Sequence, residues 1–212
     1  MEQISVTLHK YIEENIIPLY SYFDKAHQID HAIKVIDESM LLAKHYEVNI
    51  EMVYVIAAYH DLGLKKGREF HHLFSGQIVE NDLNLHKWFS TEEINIIKEA
   101  VEDHRASNKH IPRSIYGKIV AEADRIIEPI TTLTRTVQYG LSHYVELNKE
   151  SQYERFCNHL QEKYAYGGYL NLWIPESQNA SRLKELREII ANKKLLRGMF
   201  DKIYSDEKGQ VI

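Results

Sequence analysis

The sequence predicts an all-α protein, a compact bundle of roughly nine helices. Three observations lead there. Apolar residues recur at helical spacing along nearly the whole chain. No alternating strand pattern and no Asn-Gly or Asp-Gly hairpin signal interrupts them. Only nine glycines and four prolines punctuate the 212 residues. A chain of this length, 44% hydrophobic and 27% charged, can bury a useful core within one domain. The expected organisation is a single domain over 1–212, with its core at about 25–130 and a C-terminal helical extension at about 131–205.

The elements follow in order. A first helix is expected over residues 3–17, stopped by Pro18. A second takes Asp30 as its N-cap and runs through "HAIKVIDESMLLAKHY". The third, "IEMVYVIAAYHD", starts after Asn49 and is apolar almost all round, the pattern of a central helix. Gly63 suits its C-terminal cap. A fourth covers about 69–83. The fifth opens on a capping box, Ser90-Thr91-Glu92-Glu93, and reaches about His104. Pro112 opens a sixth, ending near Glu128 before Pro129. Residues 130–205 read as three more helices, interrupted by "YGGYLNLWIPES", and the last ten residues as frayed.

The formal net charge of -5 argues against a nucleic-acid coat or an anionic membrane surface as partner. The single cysteine, Cys157, allows no internal disulfide and fits a reducing compartment. The first twenty residues lack an apolar signal region, and no apolar stretch is long enough to span a bilayer. A cytoplasmic protein is therefore expected.

Projected onto these helices, six ionisable residues fall on core-facing stripes of five helices. His31 shares a face with Val35, Glu38 and Leu42. His60 and Asp61 end the central helix. His72 aligns with Gly76, Val79 and Leu83, and Gly76 leaves room for another backbone. His104 ends the stripe Ile94, Ile97, Val101, and Asp124 aligns with Val120 and Ile127. Each has an ordinary explanation alone: a hydrogen-bonded core histidine, an Asp124–Arg125 ion pair, a histidine favoured at a helix C-terminus. Six pointing inward call for a common partner. A divalent metal offsets the desolvation of imidazole and carboxylate together.

The order of these residues resembles the HD-domain superfamily of metal-dependent phosphohydrolases. "DHAIKV" is similar to the family's first-histidine helix, "AAYHDLGL" to its name-giving motif, and "IVAEADRI" to the helix of its last aspartate. The resemblance covers about residues 25–130 and implies an all-α fold. It implies that His31, His60, Asp61 and Asp124 hold one metal. For two-metal members it implies a second ion on His72 and His104, with Asp61 bridging; His71 replaces His72 if the fourth helix slips by one residue. Leu64 stands where some subfamilies carry a phosphate-contacting lysine after the HD motif, and Lys65 and Lys66 follow it. No GYP-type extension follows His104. The chain is most similar to the small stand-alone bacterial members.

The activity expected from this resemblance is hydrolysis of a phosphate ester or anhydride by metal-activated water, with Asp61 also orienting that water. The substrate would be a nucleotide or another small phosphorylated metabolite. The cofactor would be one or two divalent ions; Mn, Mg, Fe, Ni and Zn all suit the donors. Lys65, Arg68, Arg105 and Arg125 are candidate phosphate contacts. Two alternatives stay open: a di-iron oxygenase with the same ligands, and a non-catalytic metal- or nucleotide-binding module. "EKYAYGGYLNLW" reads as helix packing, a dimer contact or a base-stacking wall. The amphipathic segment 179–204 reads as one docking helix whose apolar face needs a partner, within the chain or on a second copy in a homodimer.

Overall fold

The computed structural model describes residues 4–24, 27–108 and 110–209. Among these the chain forms ten α-helices and no strand: α1 (Val6–Asn15), α2 (Ile29–Ala43), α3 (Ile50–Tyr59), α4 (His71–Asn81), α5 (Thr91–Asp103), α6 (Ile115–Asp124), α7 (Pro129–His143), α8 (Lys149–Lys163), α9 (Asn179–Ala191) and α10 (Lys193–Gly209). Short 3-10 turns fill Ile17–Tyr22, Leu62–Lys66 and Leu83–Lys87. None of the described helices is long and apolar enough to cross a membrane. The residue expected to open the first helix, Gln3, lies outside the described residues.

Side chains that satisfy free amides set most helix starts. Asn49 accepts the Glu51 N–H at 2.9 Å, as its place before α3 predicts. Ser90 and Glu93 close the capping box of α5. Other boundaries differ from expectation. Gln28 rather than Asp30 precedes α2, and Asp30 sits in its first turn, where a carboxylate complements the helix dipole. Ser114, not Pro112, caps α6 by accepting the Gly117 N–H at 3.2 Å. Helix α6 ends at Asp124, where Arg125 leaves helical backbone with ψ 59°; Glu128, next to Pro129, is extended and caps α7.

Two compact units result. The first comprises the residues up to Arg125 together with Trp173–Ser177. Its centre is α3, in which every residue from Met52 to Tyr59 is buried. Helices α2, α4, α5 and α6 pack around it. The turn Leu62–Lys66 brings α4 into place, and Gly63 makes the contact possible. A Cβ there would overlap the carbonyl oxygen of His71 and stand 2.6 Å from the Ser75 nitrogen. The Gly63 N–H is donated to Ser75 Oγ at 2.8 Å. At Gly76, by contrast, the neighbour is the Glu102 side chain rather than a backbone.

Glu122, fully buried on α6, fastens the segment Trp173–Ser177 to this unit. Its carboxylate accepts the Trp173 N–H at 2.6 Å, the Ile174 N–H at 3.4 Å and the Ser177 hydroxyl. Ile174 is buried in the same core, and Trp173 packs against it. The tryptophan of the aromatic stretch is therefore packing, while Tyr166 and Tyr169 are exposed.

The second unit comprises Ile126–Leu172 and the residues from Gln178 onward. It holds four helices where three were expected. Segment 179–204 is not one helix: Asn192 leaves helical backbone, gives its N–H to the Glu188 and Ile189 carbonyls, and accepts the Leu195 N–H at 3.1 Å. It thereby ends α9 and caps α10. Leu183, Leu186, Leu196, Phe200 and Tyr204 are buried within this unit, so their apolar faces already have partners.

Gly63→Ala should force α4 away from its turn and cost about 1–3 kcal/mol of stability, read by urea unfolding. Glu122→Ala should cost on the order of 3 kcal/mol, because it leaves the Trp173 and Ile174 N–H groups and the Ser177 hydroxyl without this acceptor. A midpoint unchanged by either substitution contradicts the corresponding packing account.

Candidate metal centre

Five helix ends converge inside the first unit. His31 comes from the first turn of α2, His60 and Asp61 from just past the end of α3, and His71 from the first residue of α4. His104 follows the last residue of α5, and Asp124 is the last residue of α6. Their donor atoms form two groups, His31–His60–Asp124 and Asp61–His71–His104, each with its atoms within 4.8 Å of one another.

A common local device aims three of the imidazoles. His60 Nδ1 donates to the Ala57 carbonyl at 2.7 Å, His71 Nδ1 to the Arg68 carbonyl at 2.7 Å, and His104 Nδ1 to the Val101 carbonyl at 2.6 Å. A carbonyl can only accept, so each Nδ1 carries its proton, and each ring presents its Nε2 inward. These Nε2 atoms face further nitrogens: His31 and His60 lie 3.2 Å apart, and His71 and His104 lie 3.1 Å apart. Imidazole nitrogens that converge with a carboxylate suit a divalent cation, so the donor chemistry fits a metal in both groups.

Asp61 belongs to both. Its Oδ2 lies 3.4 Å from His60 Nε2 and 3.6 Å from His31 Nε2. Its Oδ1 lies 3.4 Å from His71 Nε2 and 3.4 Å from His104 Nε2. Asp124 Oδ1 completes the first group, 3.4 Å from His31 and 3.9 Å from His60.

The electrostatics match the geometry. Burial alone would raise the Asp61 pKa, but His60, His104 and His31 hold it well below the usual carboxylate range. Burial likewise opposes ionisation of Asp124, and His31 and His60 lower its pKa. Burial would lower the His31 imidazole, yet hydrogen bonding to Asp124 and Asp61 lifts it to about 10. His104 is raised in the same way against its burial, by Asp61. Both carboxylates stay anionic at neutral pH and bias the centre toward cations.

His72 is not in either group, and His71 takes the place expected for it. The expected stripe is a core face: His72, Gly76 and Val79 are all buried, while Leu83 lies beyond the helix end and is exposed. His71 sits on the margin of that stripe, with 14% of its side chain exposed. Of the two adjacent histidines, it is His71 whose nitrogen lies with Asp61 and His104. His72 is 9% exposed, and its Nδ1 has no hydrogen-bond partner. Burial, with His104 and Arg105 nearby, pushes its imidazole down to about 4.

The expected phosphate contacts are scattered. Lys65 is exposed on the turn after the HD motif. Arg68 pairs with Asp24 at 3.2 Å. Arg105 donates to the Glu69 carbonyl. Arg125 is buried and donates back to the Ala121 carbonyl of its own helix. One residue went unnoticed in the sequence: Tyr20, whose hydroxyl touches the backbone of the HD motif. A tyrosine between Leu19 and Ser21 gives no local sign of this contact.

Residues 29–127 match the family model described as HD domain. Among solved structures, the chain is similar to the crystal structure of a predicted HD superfamily hydrolase from an uncultured Thermotogales bacterium. The identity is 20%, the match covers 71% of this chain and 83% of that one, and the TM-score is 0.50. At that identity the likeness is one of fold. No curated protein matches the chain. The matched segment runs from the helix of His31 to just beyond Asp124, takes in both donor groups, and has the HD-domain fold.

Proposed function

We propose that this protein is a metal-dependent phosphohydrolase that cleaves a phosphate ester or anhydride in a nucleotide or another small phosphorylated metabolite. The observation that carries the reading is the Asp61 carboxylate, which turns one oxygen to each of two histidine-containing groups. That arrangement suits a pair of divalent ions sharing one carboxylate. The likeness to a protein described as an HD superfamily hydrolase supports hydrolysis.

In this reading His31, His60 and Asp124 would hold one ion, and His71 and His104 would hold the other, with Asp61 available to both. Divalent ions supply Lewis acidity and a hydroxide source near neutral pH. The chain supplies the rest. The Nδ1 bonds of His60, His71 and His104 to backbone carbonyls keep these rings aimed. The low pKa of Asp61 keeps it ionised, ready to orient an attacking water. Lys65 and Arg68, in the segment between His60-Asp61 and His71, and Arg105, next to His104, are the cations this reading assigns to phosphate. Arg125, held against its own helix, is the least suited of the four candidates.

Metal-stripped protein should release phosphate from nucleotides or simple phosphate esters only after Mn²⁺, Mg²⁺, Ni²⁺ or Fe²⁺ is restored. His60→Ala and Asp61→Ala should each reduce that rate to below about one hundredth. Wild-type activity in either variant rejects the site. Oxygen consumption by iron-loaded protein without phosphate release favours the di-iron alternative instead. Metal content separates the two adjacent histidines: His71→Ala should lose one of the bound ions, while His72→Ala should keep both. The opposite result in plasma emission analysis assigns the ligand to His72.

A further inference from the structure

The geometry points to Tyr20 as a positioning residue for the HD motif, a hydroxyl that holds the peptide of Asp61 so that its carboxylate can face both donor groups. The inference rests on the metal-site reading above. Tyr20 lies in the turn Ile17–Tyr22, ahead of residue 29, where the HD-domain match begins. Its side chain is fully buried.

The need arises at the end of α3. In a continuing helix the Asp61 N–H would bond to the Ala57 carbonyl. That carbonyl is already engaged by His60 Nδ1–H at 2.7 Å. Asp61 leaves helical geometry, with φ -107° and ψ 3°, and its amide needs another acceptor in a buried place. The Tyr20 oxygen is that acceptor, at 3.3 Å. Its own proton goes to the Ala58 carbonyl at 3.0 Å, another group freed by the end of the helix. One phenol thus closes both backbone groups left open when the chain turns from His60 into Asp61. The ring is held by an edge contact with Phe23, at 5.4 Å between centroids.

Without this hydroxyl the Asp61 amide has one nearby remedy, which is to compete for the Ala57 carbonyl. That rotates Asp61 back toward helical backbone, turns its carboxylate off the line between the two groups, and releases the His60 ring. The defect should therefore appear in metal binding and not merely in stability. Removing a group that orients a metal ligand typically weakens affinity by roughly 10–100-fold.

The test compares full-length wild type, Tyr20→Phe and Tyr59→Phe, each stripped of metal and titrated with Mn²⁺ by calorimetry, alongside thermal unfolding without metal. Tyr59 is the control. It is equally buried, it adjoins His60, and its hydroxyl donates to Asp82 at 2.6 Å, away from the donor groups. The expected result is Mn²⁺ affinity weakened about tenfold or more in Tyr20→Phe and unchanged in Tyr59→Phe. Affinity in Tyr20→Phe equal to that of wild type, or weakened no more than in Tyr59→Phe, overturns the role of Tyr20 and leaves the metal site standing. A wild type that takes up no Mn²⁺ overturns both. A measurement on wild type guards against a variant that fails to fold. The Asp61 amide of the metal-free protein should exchange with deuterium far more slowly than those of the exposed Lys65 and Lys66; exchange at their rate rejects the hydrogen bond.

Discussion

Asp61 carries a carboxylate to a place where 4% of the residue remains accessible. A lone carboxylate there would take up a proton or destabilise the fold by several kcal/mol. It is tolerated because four imidazoles, from α2, the end of α3, α4 and the end of α5, stand within 3.6 Å of its two oxygens. Much of the architecture of the first unit serves that convergence. Five helices must bring an end, rather than a middle, to one point, and each end brings unpaired backbone groups with it.

Those unpaired groups become the tool that orders the site. At the ends of α3 and α5, the carbonyl three residues back accepts Nδ1–H from the histidine that follows, and the same geometry recurs where α4 begins. The orphan acceptor of a helix terminus and the orientation of an imidazole are thus solved by one bond. At the end of α3 the accounting fails by two groups, because His60 and Asp61 are consecutive and both are used. The Tyr20 hydroxyl meets that local excess, and Gly63 lets α4 approach close enough for His71 to reach the same point.

The helical class, the central position of α3, its Asn49 cap and the capping box of α5 were legible because each is written in local spacing or in one capping side chain. The residues drawn to the site were legible as inward charges on helix stripes: His31, His60, Asp61, His104 and Asp124. What local spacing could not separate was His71 from His72, since adjacent residues on a short helix differ by a rotation that only tertiary packing fixes. The break at Asn192 was hidden because the apolar repeat continues across it, while one asparagine serves as stop for α9 and start for α10. The Glu122 clip and the Tyr20 bond were invisible for a different reason. Each joins residues far apart in the chain, and neither leaves a trace in local periodicity.

The Glu122 clip also bears on how the protein is made. The first unit is discontinuous: its carboxylate on α6 waits for partners up to 55 residues further along the chain. A ribosome adding roughly 5–20 residues per second would expose α6 for several seconds before Ser177 is synthesised. During that interval a carboxylate destined for full burial sits beside a half-built core, along with the space that Ile174 later fills. All the donor residues of both groups are therefore translated before the segment that closes this part of the core.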